Sequence, residues 1–100
     1  MIAGFLNLES ANDGTTRTVS VFAQEDATGG TETLQFQILG QAKTVTVVFA
    51  ANEGKTVTVT HTATGTGLVT VTATGSAQTS RRILNLDKQP KDIGTAVQTA

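Results

Sequence analysis

The sequence predicts an all-β chain: a two-sheet sandwich of about seven antiparallel strands, followed by an extended C-terminal arm. Three observations predict it. Threonine fills 20 of the 100 positions, and Thr, like Val, is β-branched, stiff at χ1 and suited to a pleated surface. Glycines at 14, 29, 30, 40, 54, 65, 67 and 75 punctuate the chain at short intervals. Between them apolar and polar residues alternate with period two, as they do in strands that bury one face. No stretch of useful length carries a helical period.

The elements follow in order. Ile2–Leu8 forms a first strand, closed by an Asn12-Asp13-Gly14 turn whose residues tolerate positive φ. Thr16–Ala23 follows, with Val19, Val21 and Ala23 on one face. Gln24–Glu32 reads as a polar loop around Gly29-Gly30. In the third strand Leu34, Phe36 and Ile38 share a face, with Gln35 and Gln37 opposite. The fourth, Lys43–Ala50, points Val45, Val47 and Phe49 inward. Asn52-Glu53-Gly54 is predicted to close a hairpin into Lys55–Ala63, where Val57 and Val59 alternate with Thr56, Thr58, Thr60 and Thr62. Thr64–Gly67 is predicted to be a second hairpin turn, leading into Leu68–Thr74 with Val69, Val71 and Ala73 against Thr70 and Thr72. Arg81–Leu86 makes a seventh, less regular strand. A sheet patterned this way buries its apolar face on a second sheet, and each buried Val or Phe contributes roughly 1.5–3 kcal/mol.

Residues 1–87 are therefore the sandwich domain and residues 88–100 the arm, where Pro90 and Gly94 interrupt any regular pattern. Charge divides along the same line. Residues 80–100 hold four basic residues (Arg81, Arg82, Lys88, Lys91) against two acidic ones, and residues 1–79 hold three against six. The expectation is an acidic body with a basic arm, hidden beneath a net charge of −1.

Composition excludes several chemistries. Without cysteine there is no disulfide scaffold, thiolate metal site or thiol nucleophile. A single histidine, His61, leaves no two-His metal site. It falls in the inward phase with Val57 and Val59 and reads as a structural residue. A Ser/Asp/His triad lacks any nucleophile-elbow motif. Gly54-Lys55-Thr56 resembles the end of a phosphate loop, but Phe49 stands where the motif needs glycine. It reads instead as a turn with Gly54 at positive φ. Gly65-Thr66-Gly67 has no third glycine in register. Glu25, Asp26 and Glu32, with Asp13 nearby, lack the spacing of a calcium loop and read as solvated. The Thr rows invite an ice-binding reading, yet a sandwich sheet twists. With no Trp or Tyr, and with Phe5, Phe22, Phe36 and Phe49 all expected in the core, stacking sites for nucleic acid or sugar are missing, as are the usual hot-spot anchors. No apolar run approaches the ~18 residues of a membrane span. Expectation therefore settles on no enzyme activity, no cofactor and no metal. A partner would be held by broad polar contact, by strand addition or by the arm.

Seven short strands with Val/Thr alternation look like an immunoglobulin-like sandwich, without the Cys…Trp…Cys core of antibody-type domains. The stretch Lys55–Gly75 (KTVTVTHTATGTGLVTVTATG) resembles the Thr/Val-rich modules of bacterial surface proteins and of tailed-phage structural proteins. Met1–Asn7 lacks the basic and apolar regions of a secretory signal, and no N-glycosylation acceptor is present. A start at Met without a signal, a single free-standing module and an extended arm that could lie along a neighbour are the three features that favour the phage. The resemblance implies a capsid decoration (cement) protein that binds an assembled shell and stiffens it. The implied partner is the major capsid protein or neighbouring copies of the chain, as a homo-oligomer on the virion, with neither nucleic acid nor membrane involved. The alternative is an Ig-like module of a bacterial surface or adhesive protein. Partner contact is expected from Arg81, Arg82, Lys88, Pro90, Lys91, Ile93 and Val97, with the first strand as a second linker.

Overall fold

The computed structural model describes residues 1–13 and 15–87. Seven strands run in order: β1 (Ile2–Asn12), β2 (Arg17–Glu25), β3 (Gly30–Ile38), β4 (Gln41–Phe49), β5 (Gly54–His61), β6 (Thr66–Ala73) and β7 (Thr79–Asn85). They form a three-stranded sheet, β1-β2-β5, and a four-stranded sheet, β4-β3-β6-β7, with every pairing antiparallel. The predicted sandwich is therefore present. Its fourth strand joins the third, rather than the fifth as in an antibody constant domain.

The alternation explains the layers. Val19, Val21 and Ala23 of β2 are fully buried, as are Leu34, Phe36 and Ile38 of β3 and Val69 and Val71 of β6. They meet in one core with Ile2, Leu8, Phe49, Val57, Leu84 and Leu86, against which Phe5, Val45, Val47 and Val59 pack. From β2 to β6 each inward residue has the phase that the period-two pattern assigns to it.

Two predicted hairpins are not hairpins. β4 lies in one sheet and β5 in the other, and β5 and β6 are likewise divided. The connections through Asn52-Glu53 and through Thr64-Gly65 cross between the layers. Each strand presents its Val face to the same core, so alternation is satisfied equally by pairing neighbours or by stacking them. Long-range register decides instead. Val57 and Val59 of β5 align with Val21 and Val19 of β2, while Val69 and Val71 of β6 align with Ile38 and Phe36 of β3. The Thr rows of the Lys55–Gly75 stretch thus face opposite sides of the molecule.

Gly54 also departs from expectation. It opens β5 without positive φ. Its missing Cβ leaves the space that the Phe22 ring occupies. Phe22 lies between buried Val21 and Ala23 and so points outward, half-buried across Gly54 rather than in the core. The β3–β4 connection is a tight hairpin with positive φ at Leu39 and Gly40, the backbone that matches strand twist in two-residue loops. The Leu39 side chain lies over Gly67, which has no side chain to collide with it.

Strand bounds differ from expectation by one or two residues from β4 to β7, and further changes fall at two places. β1 runs on to Asn12, interrupted by register shifts between Ile2 and Gly4 and between Leu6 and Glu9, with Asn7 at φ 57°. Such bulges re-aim an edge strand and blunt its free edge. The predicted loop Gln24–Glu32 shrinks at both ends, because Glu25 completes β2 and Gly30–Glu32 begin β3.

Candidate functional site

The polar groups with chemical potential gather at the two ends of the sandwich. At one end the α-amino group of Met1 meets three carboxylates. It lies 2.7 Å from Glu32 Oε2, 3.0 Å from Glu25 Oε1 and 3.0 Å from Asp26 Oδ1. It also donates to Thr28 Oγ1 at 3.3 Å. The backbone holds it there, since the Asp26 amide donates to the Met1 carbonyl at 3.0 Å and Ser76 Oγ to that of Ile2 at 2.7 Å. Glu25 continues the inward phase of Val19, Val21 and Ala23, and Glu32 that of Leu34, Phe36 and Ile38. The Glu25 side chain is wholly buried, and neither of its oxygens closes a hydrogen bond of good geometry.

Charge states follow from these contacts. Glu32, then Glu25 and Asp26, raise the α-amine from 8.0 to about 11. Burial, with Glu32 alongside, pushes Glu25 up. Glu32 is held low by its neighbour Glu25 and by the ammonium. Asp26 is held low by the Thr28 hydroxyl and then by the ammonium.

The opposite end is a latch. Arg17 pairs with Asp87 and donates to the Leu86 carbonyl at 3.2 Å. Asn12 Nδ2 donates to that same carbonyl at 2.7 Å. Asp87 Oδ2 accepts from the Gly65 amide at 2.9 Å, and the Leu86 amide donates to the Gly65 carbonyl at 2.8 Å. Leu86, just past β7, is thereby fixed as a fully buried plug. Arg17 and Gly65 hold Asp87 below the usual carboxylate range.

His61 sits beside this latch, opposite Arg17 in the β2–β5 register. Its ring is buried and neither nitrogen is hydrogen-bonded. Burial, then the charges of Arg17 and Lys43, lower its pKa, while backbone groups of Ala63 and Thr18 pull weakly the other way. The unfolded chain therefore takes up a proton at His61 more readily than the folded one. Stability linked to this group is full above the unfolded value of 6.5 and declines as pH falls below it. Between pH 7.5 and 5 the denaturation midpoint of the parent should fall relative to that of His61→Phe.

Of the predicted contact residues, Arg81 and Arg82 point to opposite faces of β7. Arg81 is exposed beside Thr70 on the outer face of the four-stranded sheet. Arg82 donates to the Leu8 carbonyl at 3.1 Å and ties β7 to β1, as Ser10 does through the Asn85 carbonyl at 2.9 Å. Lys88, Pro90, Lys91, Ile93 and Val97 lie outside the described residues. The first strand, the other predicted linker, is the edge strand β1 and carries Leu6 outward, 63% exposed.

The surface that sequence reasoning missed is the outer face of the four-stranded sheet. Register places Thr44, Gln35, Thr72 and Thr79 in one row across β4, β3, β6 and β7, and Ala42, Gln37, Thr70 and Arg81 in the next. Thr33 and Thr46 extend it. Exposed Val48 stands at one end of this face and the Leu68–Ile83 pair at the other. Lateral order could not be read from residues whose strands are distant in sequence. Comparison of the chain with protein-family models, curated proteins and solved structures finds no match.

Proposed function

We propose that the chain is a non-enzymatic virion structural protein that binds and stabilises an assembled phage shell. The outer face of the four-stranded sheet is its contact surface, and residues 88–100 are a second point of attachment. One observation carries this reading most directly. The described polar groups with chemical reach, namely Glu25, Glu32, Arg17, Asp87, Asn12, Arg82 and His61, are all engaged in or packed into the ends and rim of the sandwich. Away from them, the outer side of the four-stranded sheet presents a face of Thr and Gln bounded by apolar residues. Such a face suits many weak contacts repeated over a symmetric surface, where affinity comes from multiplicity.

The partner in this reading is the major capsid protein, with neighbouring copies of the chain completing the lattice on the virion. Purified chain mixed with phage shells that lack it should co-sediment and saturate at a fixed number of copies per shell. Absence of shell binding, together with recovery of the sequence as one module of a long exported protein, would favour the bacterial surface reading instead.

A further inference from the structure

We propose that Glu25, Asp26, Thr28 and Glu32 form a binding site for the α-ammonium group of Met1, so that the fold distinguishes a free amine there from an acylated one. Three carboxylates, two from the adjacent Glu25 and Asp26 and one from Glu32, converge within 3.0 Å of one nitrogen. β2 supplies Glu25, the β2–β3 connection Asp26, and β3 Glu32. The second observation is the burial of one of them. Glu25 is fully buried, lies 3.0 Å from that nitrogen, and neither of its oxygens closes a hydrogen bond of good geometry. A buried carboxylate without a cation is costly, so this one is placed for the ammonium it faces.

The neighbouring charges are otherwise occupied. Glu53, whose carbonyl accepts from the Glu25 amide at 2.8 Å, turns its carboxylate to the Ala50 amide and to Lys55. Acetylation or formylation would remove both the positive charge and two of the donor hydrogens. Either change leaves Glu25 and Glu32 facing each other without a counter-ion. Ile2, buried next to the site, links this local loss to the core.

The test compares the full chain with a free Met1 amine and the same chain Nα-acetylated, each also as the Glu25→Gln/Glu32→Gln double variant. Acetylation should lower the melting temperature by several degrees in the parent and by much less in the double variant. Acylation of the free amine at pH 8, followed by mass spectrometry of the N-terminal peptide, should run at least ~100-fold slower than in an unstructured peptide, since a raised amine pKa depletes the reactive neutral form. In the double variant that protection should largely vanish, which keeps the test readable even if the acetylated parent does not fold. Equal melting of free and acetylated parent, or acylation at the peptide rate, would overturn the proposal.

Discussion

Phe36→Ala is expected to destabilise the domain by about 3–5 kcal/mol, the usual cost of truncating a fully buried aromatic. Phe36 is the largest wholly buried side chain in the core and sits mid-strand in β3, between β4 and β6. Domains of this size have about 5–15 kcal/mol in total, so the variant should be marginally folded. The informative comparison is Phe22→Ala. Phe22 lies outside the core, spread over Gly54 on the outer surface of the three-stranded sheet. Its loss removes a half-exposed contact and should cost clearly less. Urea denaturation of both variants checks the pair, and equal losses would contradict the outward placement of Phe22.

Leu86→Ala is the second large effect, at about 2–5 kcal/mol. Leu86 follows the last strand, yet it is fully buried. Its backbone is held at the carbonyl by Asn12 and Arg17 and at the amide by Gly65. A chain ending at Asp87 should keep the parent's denaturation midpoint, because the latch lies wholly within it. A chain ending at Asn85 should lose as much as Leu86→Ala or more. If truncation at Asp87 were equally damaging, the boundary between domain and arm would be misplaced.

How far the sequence could be read is clearest in particular residues. Period-two alternation assigned Val19, Leu34, Phe36, Val57 and Val71 to the core correctly, because side-chain direction in a strand is a local property. The same rule, carried two positions past Ala23 and two before Leu34, also points Glu25 and Glu32 inward. Their charge argued for a solvated loop, and that argument outweighed the phase. Phe22 shows the converse: phase places it outside, while its aromatic character suggested the core. Pairing partners were beyond local reading. The short connections before β5 and β6, next to Gly54 and Gly65, suit hairpins and layer crossings alike, and the choice rests on contacts with β2 and β3, distant in sequence. For the same reason the Thr/Gln face could not be assembled from the Thr runs alone.

Shell binding by face-directed variants is the most direct measurement of contact through the four-stranded sheet. Gln35→Lys/Thr72→Lys places two charges at the centre of that face, and Thr58→Lys places one on the opposite outer surface, where Thr58 aligns with Ser20. All are solvent-facing changes, and melting temperatures should stay near the parent's. Co-sedimentation with phage shells lacking the chain should show at least ~10-fold weaker binding for the double variant, a loss of ~1.4 kcal/mol, with Thr58→Lys binding as the parent does. Undiminished binding of Gln35→Lys/Thr72→Lys would contradict the assigned face, and failure of the parent chain to sediment with any shell would contradict the function itself.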